Sequence, residues 1–172
     1  MEIWDLVDGT RKPLGKKHVR GELVEQEEYH IVVEILTLNK DGKLLVTQRD
    51  KAKTYPLLWE FTGGSITTGE TSRIGAVREL EEETGIFADP SKLHHISSMK
   101  KHPYYLDSYV WKSPNQLNLT DLKLQAGEVC GAKFATLAEW EEMNSQQLVI
   151  PTVWERYKRH RWSIEKIAGD EL

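Results

Sequence analysis

Cysteine is nearly missing from this chain: Cys130 is the only one in 172 residues. A single thiol forms no disulfide within the chain and builds no thiolate zinc cluster. A chain that does without disulfides suits a reducing compartment, so the expected location is cytoplasmic. Long apolar runs are absent as well. No stretch approaches the roughly 20 apolar residues that cross a bilayer, and the opening MEIWDLVDGT lacks the apolar core of a signal peptide. No membrane partner is expected. Positive charge is not in excess either. A net charge of -4, with 29% charged residues, gives no bulk field to hold a nucleic acid. An anionic small molecule must then be met by local cations or by bound metal. What remains is an ordinary globular mixture with 39% hydrophobic residues and no internal repeat or low-complexity linker. Its length fits one domain over 1–172.

The pattern along the chain mixes strands with helices. Ile3 to Val7 is strand-like and ends at the turn signal Asp8-Gly9, followed by a basic stretch from Arg11 to Arg20. His30 to Leu38, rich in β-branched residues, and Leu44 to Thr47 flank Asn39-Lys40-Asp41-Gly42 and predict a hairpin. Thr71 to Thr84 reads as a helix, capped by Thr71 or Ser72 and closed by Gly85, with Ile74, Val77 and Leu80 as its buried face. Strands are expected near Leu93 to Met99, Tyr104 to Trp111 and Ala132 to Ala135. A short helix follows Thr136, with Glu139 completing a capping box, and Pro151 opens a last helix to about Lys166. This alternation predicts an α/β sandwich.

Chemistry concentrates in GGSITTGETSRIGAVRELEEETGI, which begins at Gly63. A glycine-rich loop leads into a helix that carries Glu79, Glu82 and Glu83 at i, i+3 and i+4, on one stripe. Like charges at that spacing cost a few tenths of a kcal/mol per pair. A hard divalent cation turns the repulsion into binding, because Mg²⁺ and Mn²⁺ prefer oxygen ligands. The arrangement suits attack of water at phosphorus with a glutamate accepting the proton. RELEEE by itself usually reads as a solvated helix face.

The spacing of the whole segment is more specific. Gly64, five residues, Glu70, seven residues, Arg78-Glu79, Leu80, one residue, Glu82-Glu83, one residue, Gly85 and Ile86 fill every fixed place of the Nudix box. A common residue meets any one of these places by chance about one time in fifteen, so a complete set does not arise by accident. The chain therefore resembles the Nudix hydrolases. The resemblance implies an α/β/α sandwich around a mixed β-sheet, and hydrolysis of a diphosphate linkage in a nucleoside diphosphate derivative or related small molecule with Mg²⁺ or Mn²⁺. It implies Glu79, Glu82 and Glu83 as metal ligands, joined by the Gly63 carbonyl and by Glu128 from a later loop. Arg78 and Glu70 orient them, and Glu79 or Glu82 acts as the base.

The N-terminal half is similar to the isopentenyl-diphosphate isomerase branch of the same superfamily, through Trp4-Asp5 with Asp8, His30, Gly42 to Arg49, and Lys53 before Pro56 and Trp59. Isomerisation is thus an alternative reaction, and a non-catalytic nucleotide-binding module another. The isomerases place a cysteine just before the box, where this chain has Trp59-Glu60-Phe61-Thr62-Gly63-Gly64, and their box is degenerate. Both departures favour hydrolysis. His18 and His30 correspond in kind to the isomerase metal ligands but read here as loop and strand-edge residues, and His94, His95 and His102 as surface residues. On the substrate side, Arg49 and Lys53 are placed to offset phosphate charge and Trp59 to stack on an organic group. Most of the six tryptophans must be buried. Trp154, Tyr157 and Trp162 read as packing of the last helix or as the contact of a homodimer.

Overall fold

The structure, a computed structural model, describes residues 2–169; Met1 and 170–172, the ends of the expected domain, lie outside it. Nine strands and three helices follow one another in the described residues. They are β1 (Ile3–Asp8), β2 (Pro13–Val19), β3 (Glu28–Leu38), β4 (Leu44–Arg49), β5 (Trp59–Glu60), β6 (Thr62–Ser65), α1 (Ser72–Thr84), β7 (His94–Lys101), β8 (Tyr104–Lys112), β9 (Val129–Ala135), α2 (Leu137–Ser145) and α3 (Pro151–Gly169).

Strand β3 is the hub of the sheet. It runs parallel to β8 from His30↔Tyr104 to Leu38↔Lys112 and antiparallel to β6 from Val32↔Ser65 to Ile35↔Thr62. Its first residues also pair with β1, and its last with β4 in the expected hairpin. The sheet is therefore mixed. Covered on both faces, β3 reads as a near-continuous apolar run. Val33 and Ile35 face a core shared with Ala76 and Leu80 of α1, while Leu36 and Leu38 face one shared with Trp140 of α2 and Val153, Tyr157 and Ile164 of α3. Alternate residues of one strand thus anchor helices on opposite faces, which makes the α/β/α sandwich. Each fully buried Leu or Val contributes about 1.5–3 kcal/mol of transfer free energy.

The helix ends follow the sequence signals. Thr71 accepts a hydrogen bond from the Ile74 N–H, and Gly85 closes α1 with φ 75° while donating to the Glu81 carbonyl. Thr136 and Glu139 form the full capping box of α2. Among the described residues no helix is long and apolar enough to cross a membrane.

Three expectations need correction. The basic stretch after Asp8 is a strand, β2, whose pairing with β1 sets His18 opposite Trp4. The buried face of α1 is Ala76, Leu80, Glu83 and Thr84 with Gly75, whereas Ile74 is 44% exposed. Ile74 lies in the first turn of the helix. Gly75 turns inward instead: a Cβ there would run into the Ile66 side chain. Trp162 is also not buried.

Candidate active site

Strand β6, a turn and α1 form one unit. Register with β3 puts Gly63 opposite Glu34 and Gly64 opposite Val33. A side chain at Gly63 would collide with the Val33 carbonyl, and one at Gly64 with the Glu79 carboxylate. The two glycines let the backbone approach β3 on one side and the acidic helix on the other.

Arg78 ties the loop to the helix. Its five N–H groups all find acceptors. Nε donates to Glu70 Oε1 at 2.8 Å, and Nη2 donates to Glu70 Oε2 at 3.1 Å and to the Ser65 carbonyl at 3.0 Å. Nη1 donates to Glu79 Oε1 at 3.0 Å and Glu82 Oε2 at 2.8 Å. Glu70 also accepts from the Thr67 N–H at 2.8 Å. Burial works against the Arg78 charge, but Glu70 and Glu79 more than offset it, and its proton is held more tightly than usual. Burial likewise lifts the Glu70 carboxyl, yet the bonds from Arg78 and Thr67 outweigh it and leave it below the ordinary range. Glu79 goes the other way. Burial, with repulsion from Glu82 and Glu2, outweighs its single bond to Arg78 and raises its carboxyl.

These groups border a cleft of about 300 Å³. Gly63, Gly64, Glu79, Glu82 and Glu83 line it from β6 and α1; Arg49, Lys53 and Glu60 from β4, β5 and their connection; Gln125 and Glu128 from the segment before β9; and Glu2, Trp4 and Arg20 from the N-terminal hairpin. Glu83 is the deepest carboxylate, 8% exposed, and among the described residues it has no hydrogen-bond or ion-pair partner. Burial first, then the neighbouring Glu60, Glu79 and Glu128, push its carboxyl well above the usual range. Glu60 is raised too, by burial, against the pull of Arg49 2.7 Å away. Lys53 holds Glu128.

Among the described residues no three carboxylate, imidazole or thiolate groups stand together at metal-ligand geometry. Arg78 engages Glu79 and Glu82, and Lys53 engages Glu128. The donors nonetheless suit a hard divalent cation. All are oxygens, and one, Glu83, is a buried carboxyl with no ion-pair partner among the described residues.

Residues 28–159 match the family model of the NUDIX domain. The chain belongs to the Nudix hydrolase family. It is 38% identical over 157 residues to an uncharacterized Nudix hydrolase of Listeria monocytogenes, spanning 88% of this chain and 89% of that one. A crystal structure from Deinococcus radiodurans superposes with a TM-score of 0.72 at 18% identity, over 92% of this chain and 98% of that one. A Francisella tularensis bifunctional NMN adenylyltransferase/ADP ribose pyrophosphatase, complexed with AMP and Mn ion, gives a TM-score of 0.60 at 17% identity, over 79% of this chain and 42% of that one. At these identities the two structures speak for the fold.

In this Nudix fold the residues singled out from the sequence separate into two groups. Glu79, Glu82, Glu83, Gly63, Glu128, Arg49 and Lys53 share the cleft, with Arg78 and Glu70 directly behind. Trp59 does not line it; its ring packs beside the core under α2 and α3, with the Lys133 ammonium 4.8 Å from its centroid. His18 and His30 are both buried around Trp4, with His30 stacked on that indole at 4.2 Å. Neither lines the cleft, and burial with the neighbouring His18 lowers the His30 pKa to about 4. Cys130, distant in sequence, comes back beside the Arg49 carbonyl at 3.1 Å but is exposed and outside the cleft. Glu60 is the residue that sequence reasoning missed. Its signal was its place opposite Thr47, on a strand whose side chains alternate between core and cleft. A larger cavity of about 700 Å³ beyond the C-terminal end of α1, among Ile86, Trp111 and Leu122, carries none of the box carboxylates.

Proposed function

We propose that this Nudix hydrolase cleaves a diphosphate linkage in a nucleoside diphosphate derivative with Mg²⁺ or Mn²⁺. The observation that carries the reading is Glu83: a buried carboxylate without a partner, facing a cleft that also holds Glu79 and Glu82. Leaving a buried charge uncompensated costs several kcal/mol, and the cost has a use if a cation is to be bound there. Glu79, Glu82, Glu83, Glu128 and the Gly63 carbonyl would hold the cation, which supplies neutralisation of phosphate charge and acidification of water.

The protein's own groups supply the rest. Arg78 and Glu70 orient the carboxylates of α1, as outer-shell partners do elsewhere. Arg49 and Lys53 offset phosphate charge at the opposite wall. Of the two candidates for the base, Glu79 is favoured, because burial raises its proton affinity whereas Glu82 is 47% exposed. The nucleotide class is supported by the AMP-bound relative in Francisella tularensis.

In the same reading 1–172 form one domain acting on a small molecule in a cytoplasmic setting, and the Trp162 indole, 73% exposed, supports a homodimer contact that sedimentation tests. The central test is a phosphatase-coupled phosphate-release screen with Mg²⁺ and Mn²⁺. Its panel covers nucleoside diphosphate sugars, dinucleoside polyphosphates, coenzyme A, nicotinamide dinucleotides and nucleoside triphosphates. At least one substrate should turn over, and chelator or Glu83→Gln should abolish it. No turnover across the panel, or full turnover in Glu83→Gln, overturns the reading.

A further inference from the structure

Arg49 and Lys53, two of the cations that line the cleft, are held differently. Arg49 is anchored twice, by Nε to the Thr54 carbonyl at 2.6 Å and by Nη1 to Glu60 at 2.7 Å. Among the described residues Lys53 has one ion-pair partner, Glu128. The backbones that carry this pair are tied together, since the Asp50 N–H donates to the Glu128 carbonyl at 2.9 Å. Lys53 and Glu128 thus stay within reach of one another while their side chains remain partly exposed, 22% and 36%. Glu83, also on the cleft, is buried, and its carboxylate has no ion-pair partner among the described residues. A lysine is a point charge on a flexible stem and can change partners without rebuilding a planar fork, unlike arginine.

We propose that Lys53 is an exchangeable counter-ion that neutralises Glu128 in the metal-free enzyme and passes to the substrate's diphosphate once a divalent cation is bound at Glu83 and Glu128. This rests on the metal-dependent reading above. While Glu128 neutralises it, Lys53 offers a diphosphate little net charge, so diphosphate binding is weak until Glu128 has another counter-charge. By linkage the two ligands favour each other to the same degree. The exchange makes assembly of the site cooperative, with Lys53 released to the diphosphate as the cation takes over Glu128.

The experiment measures Mn²⁺ binding by electron paramagnetic resonance, and binding of α,β-methylene ADP by calorimetry, in the full chain. Wild type should bind the analogue roughly 5- to 150-fold more tightly with Mn²⁺ than with chelator, the usual span of such couplings. Lys53→Met should bind Mn²⁺ alone roughly fivefold more tightly, as expected for losing a partly exposed ion pair that competes with the metal. It should also bind the analogue less tightly when Mn²⁺ is present. In a Glu128→Gln background the same lysine substitution should leave Mn²⁺ affinity nearly unchanged. Unchanged or weakened Mn²⁺ binding in Lys53→Met, or equal tightening without Glu128, overturns the inference while leaving the metal site intact. Absence of any Mn²⁺ binding that Glu83→Gln removes overturns the metal-dependent reading and this inference with it.

Discussion

The Gly64 α-carbon lies against the Glu79 carboxylate, so closely that a Cβ at residue 64 would overlap all three carboxyl atoms. Glu79 is at the same time held by Arg78 at 3.0 Å and largely buried, so it has little room to retreat. Gly64→Ala should therefore displace Glu79 without unfolding the sheet. A displacement of about 1 Å at a reacting group can lower the rate roughly 100-fold. Steady-state kinetics with a circular-dichroism control checks this, and an alanine variant with wild-type kcat would show that Glu79 is not held in place by this contact.

Arg78 spans Glu70, Ser65, Glu79 and Glu82 with a planar fork. Lysine keeps the charge but cannot make these bonds together. Arg78→Lys should lose roughly 10- to 100-fold in activity or metal affinity, the range for outer-shell partners, with only a small change in melting temperature. Equal activity in the lysine variant would reduce Arg78 to a source of charge.

Glu83 links the site to pH. Its carboxyl is raised well above 4.5 in the folded protein, first by burial and then by Glu60, Glu79 and Glu128. The folded state therefore binds a proton more readily than the unfolded chain. This contribution to stability is present in full below the unfolded value and is lost as pH rises through the folded value. Glu79 and Glu60 act in the same direction. In chelator, wild-type melting temperature should fall as pH rises from about 5 to 8, and Glu83→Gln should flatten that fall. Parallel pH profiles for the two proteins, measured by calorimetry, would contradict this account of Glu83.

Arg156 of α3 reaches across to Glu34 of β3, donating to Oε2 from Nη2 at 2.8 Å and to both oxygens from Nε, while Ser108 donates to Glu34 Oε1 at 2.7 Å. The pair lies behind Gly63, the register partner of Glu34. Removing one member strands the other without a counter-charge. Arg156→Ala should cost about 3–5 kcal/mol in urea unfolding, and a Glu34→Leu/Arg156→Met double variant should recover much of it. A loss below about 1 kcal/mol would place the pair with weak surface salt bridges.

Six of the nine strands among the described residues, the three helices and the box are legible along the chain. The β-branched run of β3, the Thr71 and Gly85 caps, the Thr136–Glu139 box and the fixed spacings from Gly64 to Ile86 are local signals, and local signals survive in one dimension. Tertiary structure alone decided which faces meet. It turned Ile74 outward and Glu83 inward, because Gly75 packed on Ile66 selects the stripe of Ala76, Leu80, Glu83 and Thr84 as the one that faces inward. It made a strand of the basic stretch, because β1 offered an edge to pair with. It withdrew Trp59 from the cleft and brought Glu60 into it, since neighbours in an extended chain face opposite ways. The Nudix box was legible as a line of residues. That Glu83 within it is buried without a partner, while Lys53 holds Glu128 across the cleft, follows only from segments far apart in sequence closing on one space.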